Sequence, residues 1–236
     1  MTSPGPVPLP STVDRLAAAL AGSAPEVRTI PVRADLADLF PWGGLRRGGT
    51  VAVHGAALLL ALLAEPTRAG SWAAVVGLPA LGLVAAEEAG VRTDRVALVP
   101  SPGGDVGAVV AALLDGFDLV AVSASRVAEA LARKLSARAR SRGAVLLPLG
   151  GWPAAEVELR VDGDRWWGLG EGHGHLRGRE VRVSATGRGA AARPVVRTVT
   201  LQGEPPPSRL TRPVFEHMFD PSTGVGPAEV RGGGAG

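Results

Sequence analysis

The 236-residue chain has no cysteine, no tyrosine, a single lysine (Lys134) and only 4% aromatic residues. Without cysteine, disulfides and thiolate metal sites are excluded, and a reducing cytoplasm is the natural assignment. No run of ~18 consecutive apolar residues is present, so no stretch reads as a membrane-spanning helix. The opening residues, MTSPGPVPLPST, lack the basic start and apolar centre of a secretory signal. The missing tyrosine and cysteine also explain a pI near 10.7. Almost nothing titrates between histidine and arginine, so a net charge of only +3 is enough to drive the pI far up. Every cation except Lys134 is arginine. Arginine suits phosphate contacts, but a charge of +3 in an Arg-, Ala- and Gly-rich chain is also what a GC-rich genome produces.

What the chain does have, at 46% hydrophobic residues, is enough apolar material for one buried core. It is organised around Gly48-Gly49-Thr50-Val51-Ala52-Val53-His54-Gly55-Ala56-Ala57, followed by a leucine-rich run. This reads as a buried strand that turns at one glycine into an apolar helix. In nucleotide-binding α/β proteins that junction carries G-x-x-x-x-G-K-[ST], whose backbone N–H groups and lysine cradle phosphates. Here only Ala56 and Ala57 separate Gly55 from the leucines, and no Gly-Lys-Ser/Thr follows.

Along the chain, residues 1–11 are proline-rich, and Thr12–Leu20 reads as a short helix ended near Gly22. Ile30–Val32 is extended, Asp35–Phe40 is a helical turn or two stopped by Pro41, and Trp42–Gly48 is a turn into the first core strand, Thr50–His54. Pro66 is expected to end or kink the leucine helix. Strands then follow at Ser71–Gly77, Arg95–Val99, Phe117–Val122 and Ala144–Leu149. Helices alternate with them at Leu81–Ala89, Asp105–Leu114 and Ser125–Arg142, with Gly90 and Gly143 as C-terminal stops. Near-continuous apolar strands alternating with helices call for a parallel sheet covered on both faces. Beyond Gly150 the helical period is lost. Glu156–Val161, Arg165–Leu169, Glu180–Thr186 and Val195–Leu201 read as strands, with a turn at Asp162-Gly163-Asp164, and are expected as antiparallel additions at one edge.

The order of these elements resembles the RecA-type ATPases over roughly residues 36–204. PWGGLRRGGTVAVHG resembles the segment entering their phosphate loop, and SWAAVVG their second core strand. GFDLVAVSAS resembles the strand that ends in the Walker B aspartate, and RVSATGRGAAARPVVRTVTLQGE the antiparallel pair closing the core. More specifically the chain resembles the RecA-like accessory subunit of the actinobacterial mutasome, the ImuA-prime (ImuA/SulA-like) type. The resemblance implies a RecA-like three-layer fold with a mostly parallel central sheet, antiparallel C-terminal edge strands and a degenerate phosphate loop. It also implies a role in damage-induced translesion synthesis beside a catalytically inactive Y-family polymerase homologue and an error-prone C-family polymerase. The departures from the RecA pattern fall in three loops. The phosphate loop at Gly55 is short by about five residues relative to the motif. Leu78-Pro79-Ala80 stands where a water-activating glutamate is expected, and Ser123 stands at the Walker B aspartate. Loss of cradle, metal ligand and carboxylate together leaves phosphoryl transfer unsupported, so neither ATPase activity nor a cofactor is expected.

Other candidate residues each carry a plain alternative. Arg126, Arg133 and Arg140, with Lys134 and Arg138 beside them, form basic rows on one helix, a surface for phosphates or an acidic partner; a solvated outer face is the plainer reading of the same residues. Trp166 and Trp167 alternate faces in a strand, so one is expected in the core and the other is free to stack on a base or partner. His173-Gly174-His175 near Glu171 has too few ligands for a built metal site, and no metal is assigned. His54 is read as structural, and Trp42 and Trp152 as covers for the sheet ends. In the Pro/Gly-rich tail, Val214, Phe215, Met218 and Phe219 have amphipathic-turn spacing that suits a partner or a fold-back onto the chain's own domain.

The domain reading is an N-terminal segment 1–34, a core 35–204 and a tail 205–236. The expected function is that of a non-catalytic, cytoplasmic, protein-binding adaptor in DNA-damage tolerance. A DNA-binding module using the basic helix, or a damage-induced cell-division inhibitor, is the alternative.

Overall fold

The structure, a computed structural model, describes residues 28–153, 155–169 and 174–203. The N-terminal helix at Thr12–Leu20, Glu171, His173 and the apolar cluster Val214–Phe219 lie outside the described residues.

Among the described residues ten strands and five α-helices follow one another. β1 (Thr29–Ile30) and β2 (Leu45–Arg46) pair antiparallel, with α1 (Ala34–Ala37) between them. The alternating core runs β3 (Val51–Val53), α2 (Ala56–Arg68), β4 (Ala73–Val76), α3 (Leu83–Glu88), β5 (Val96–Val99), α4 (Val106–Gly116), β6 (Leu119–Ser123), α5 (Glu129–Arg142) and β7 (Val145–Leu149). The chain closes with β8 (Val157–Leu169), β9 (Gly174–Gly187) and β10 (Val195–Gly203). The main sheet has eight strands in the order β10-β9-β8-β3-β7-β6-β4-β5. It is parallel from β8 to β5 and antiparallel across β8-β9-β10.

The period-2 alternation of the short strands divides their side chains between two cores. Val51, Val53, Ala73, Val75, Leu119, Ala121, Val145 and Leu147 join α2 and Ala86 of α3 in one cluster. Ala52, Val76, Val120, Val122 and Leu146 join α4, α5 and Trp152 in the other. The result is three layers, helix on sheet on helix, as the sequence pattern predicts. On the first face α2 is itself covered. Ile30, Leu36, Leu39, Phe40 and Leu45 of the β1-α1-β2 flap pack in the same cluster, so Leu58–Ala64 is buried on every side. This is how a helix apolar all round is accommodated.

Several boundaries differ from the sequence reading, each for a local reason. Pro66 lies inside the last turn of α2, which carries on to Arg68. Thr67 Oγ1 donates back to the Leu63 and Ala64 carbonyls at 2.8 and 3.0 Å, so its buried hydroxyl is satisfied within the helix. α5 starts at Glu129 rather than Ser125, because a 3-10 turn at Ala124–Arg126 and an extended Val127 come first. α4 begins as expected, with Asp105 accepting the Ala108 N–H at 3.0 Å, and runs to Gly116. The segments expected as two strands around Asp162-Gly163-Asp164 are one strand, β8, with a register shift between Val161 and Gly163. A bulge takes up the extra residue that a turn would have used. β8 is also parallel to β3 rather than an antiparallel addition. The loop after β7 carries the chain past β3, with Gly150 N–H bonded to the Val53 carbonyl and Glu156 N–H to the Thr50 carbonyl.

Candidate functional site

In a parallel sheet ligands bind beyond the carboxyl ends of the strands, and the three altered loops lie there. Gly55 follows β3, Leu78-Pro79-Ala80 follows β4, and Ser123 ends β6. Only His54 and Gly55 join β3 to α2. Gly55 has φ 126° and no side-chain cap, a conformation open to glycine and strained for other residues. No room remains for a chain segment that wraps a phosphate.

The groups that do occupy the edge are few. Arg126, from the 3-10 turn after β6, lies across Gly77 at the end of β4. A Cβ added at Gly77 would stand 2.8 Å from Arg126 Cδ and 3.6 Å from Ser123 Cβ, and Gly77 has φ 70°. Ser123 Oγ and Ser125 Oγ are 3.1 Å apart. Leu78 packs against the first core cluster, while Pro79 is exposed. At the β3 end, His54 Nε2 lies 2.6 Å from Glu158 Oε1 of β8, which also accepts from Arg160 at 2.5 Å. His54 is thus tied to the neighbouring strand, in keeping with a structural role. Among the described residues no three His, Asp or Glu side chains converge. Pro79 and Ser123 bring no carboxylate to the ends of β4 and β6, and the Glu158 carboxylate at the β3 end is engaged by His54 and Arg160.

The basic residues are dispersed by their partners. Arg126 belongs to the edge, not to α5. Arg133 is ion-paired with Glu129 one turn before it. Arg138 turns toward α4, where it and Arg142 hold Asp115 at 2.5 and 3.0 Å, and Arg138 also reaches the Ala111 carbonyl. The hydrogen bond and charge of Arg138 hold the Asp115 carboxyl below its usual range. Lys134 and Arg140 are left on the outer face, too few to make the continuous basic row expected from the spacing. Trp166 and Trp167 are both partly buried on the β8–β9 ribbon, and neither enters a core cluster. Arg179 stacks on Trp166 at 5.1 Å, and Trp167 lies over its cross-strand partner Gly178. The expectation of one core tryptophan fails, since Trp166 lies under Arg179 and shares a pocket with Glu88 of α3, while Trp167 packs on the backbone of β9. Trp152 does cover a core, with Nε1 donating to Ser136 Oγ at 2.9 Å. Trp42 packs against the other cluster beneath Arg46.

Sequence reasoning missed the seat of Arg126 over Gly77. Gly77 directly after an apolar strand is its one visible trace. It also missed an apolar surface at the β5 edge, whose trace is the uncharged stretch between Arg95 and Pro100.

Fold and edge together define a three-layer α/β protein with a mostly parallel central sheet and a two-residue turn between β3 and α2. Residues 38–154, the core from just after α1 to the loop before β8, match the family described as MT3502 N-terminal domain. The chain is also similar to the uncharacterized protein Rv3395c of Mycobacterium tuberculosis. The two are 44% identical over 128 residues, a stretch that is 52% of this chain and 63% of that protein. The chain thus spans less than two thirds of the length of this relative.

Proposed function

We propose that the chain is a non-catalytic RecA-like accessory subunit of the ImuA-prime type. In this reading it acts in DNA-damage-induced translesion synthesis through contacts with a Y-family polymerase homologue and an error-prone C-family polymerase. One observation carries the non-catalytic part. The eight-stranded sheet and both helical layers are kept, while all three loops at the nucleotide edge lack the groups that phosphoryl transfer needs. Similarity to a mycobacterial protein agrees with an actinobacterial accessory subunit. A fold retained without its chemistry is retained for its surfaces, and a protein partner uses such surfaces without a pocket.

Calorimetry with Mg-ATP is expected to show no binding heat, and pull-down from damaged cells is expected to bring down the polymerase homologue. Tight Mg-dependent ATP binding would overturn the non-catalytic part. Normal damage-induced mutation rates in a deletion strain would overturn the pathway. The dispersal of the α5 cations gives a nucleic-acid surface less support than a protein-binding one.

A further inference from the structure

Among the described residues six large apolar side chains are exposed, and four of them, Trp72, Leu83, Val84 and Leu98, lie between the residue before β4 and the end of β5. Val84 is 70% exposed and Leu98 39%. β5 is the outermost strand of the sheet on that side. Its backbone polarity follows from one bond. The Val99 carbonyl accepts the Gly77 N–H at 2.9 Å, so Val99, and by alternation Ala97, bond inward to β4. Val96 and Leu98 then direct their N–H and carbonyl groups outward. The stretch is bounded on one side by the 3-10 turn Thr93–Arg95. On the other side Pro100 has no N–H to offer. The available edge is therefore two outward residues, symmetric about Ala97.

That symmetry selects the occupant. We propose that the β5 edge pairs with β5 of a second copy of this chain, antiparallel about a two-fold axis at Ala97. Val96 of one copy and Leu98 of the other exchange both N–H···O bonds, in each of the two equivalent places. Ala97 meets Ala97 as the non-hydrogen-bonded pair, where a small side chain suits the close approach. Charge agrees with this direction. Arg92, Asp94 and Arg95 sit at the amino end of β5, and Val99, Pro100 and Ser101 at the carboxyl end carry no charge. Antiparallel pairing sets charged end against uncharged end, whereas parallel pairing would set Arg95 against Arg95. Leu98 is on the α3 side of the sheet, since Val99 packs with the opposite cluster. The two-fold therefore brings Leu83 and Val84 of one copy toward α3 of the other, covering both. The product is one continuous sheet with a β10 edge at either end, so a dimer offers every other surface twice. The proposal is independent of the translesion reading.

The absence of native cysteine gives a clean test on the full chain. Sedimentation equilibrium at ~100 µM is expected to give twice the 24.0 kDa of one chain; a monomer mass at that concentration overturns the proposal. Ala97→Cys, with Cα atoms about 4.5 Å apart across the axis, is expected to crosslink nearly completely under mild oxidation. Val196→Cys, half-exposed on the opposite edge, is expected to stay monomeric under the same conditions. Equal crosslinking of the two, or none at Ala97→Cys, overturns it. Of the backbone groups Leu98→Pro removes only an outward N–H, which an edge strand tolerates, together with one half-exposed apolar side chain. It is expected to halve the mass while leaving the circular dichroism spectrum unchanged; a folded Leu98→Pro variant that remains dimeric overturns the assigned register.

Discussion

The two long edges of the sheet are treated in opposite ways. At β10 the outward carbonyls of Val196 and Thr200 accept from Arg197 and Arg33, at 2.9 and 2.7 Å, and Arg197 is pinned to Asp38 just after α1. At β5 no side chain among the described residues bonds the outward groups of Val96 and Leu98, and the neighbouring surface is apolar. Unpaired edges template further strands, and proteins that keep them single cover or charge them. The first edge is closed by guanidinium groups and a flap, and the second is left open. The contrast places the open, apolar edge away from the carboxyl-end loops at Gly55, Pro79 and Ser123 to which the sequence motifs direct attention.

The largest effect on this contrast should come from the support under the closed edge. Leu39, 2% exposed, lies at the floor of a pocket of about 170 Å³ formed with Val157, Ala185, Ala191 and Val195. Leu39→Ala is expected to destabilise by about 2–5 kcal/mol in urea unfolding, the usual cost of a truncated buried leucine. A loss under ~1 kcal/mol, below the range for such truncations, would mean the flap is not part of the cooperative core. A smaller effect is expected from Arg33→Ala, which strips the Thr200 carbonyl of its guanidinium at a partly exposed site. A loss of about 1 kcal/mol is expected, with faster amide exchange confined to β10 and its neighbours; unchanged exchange there would show that the flap alone closes the edge.

The smallest effect lies away from both edges and serves as their reference. Asp115 is held by Arg138 below the ordinary carboxylate range. A lowered folded-state pKa stabilises the fold above the ordinary range, and that contribution is lost as pH falls through the lowered value. NMR titration of Asp115 is expected to show a midpoint below the usual ~3.9, returning toward it in Arg138→Ala with dimerisation unaltered. An ordinary midpoint in the parent chain would remove the clamp.

The layers were legible because their signals are local. Apolar strands such as Leu119–Ser123 and a helix stop such as Gly143, with φ 72°, act within a few residues. The convergence of Gly55, Pro79 and Ser123 at one edge followed from parallel topology alone. What was not legible depended on distant partners. Asp162-Gly163-Asp164 has the composition of a turn, and only pairing with Val181–Val183 makes it a bulge. Arg138 reads as one of a basic row until Asp115, on another helix, turns it aside. The outermost position of β5 is a property of strand order, which no window of sequence contains.

The β1-α1-β2 flap precedes everything it covers. Arg33 bonds to Thr200, 167 residues later, and Asp38 to Arg197, 159 residues later. During synthesis at about 5–20 residues per second, the flap must wait roughly 10 to 30 s before its last docking partner leaves the ribosome. For that interval the leucine helix α2 has its cover but no sealed margin. The final strand therefore acts as a latch, and a nascent chain halted before it holds its most apolar helix behind an unlocked door.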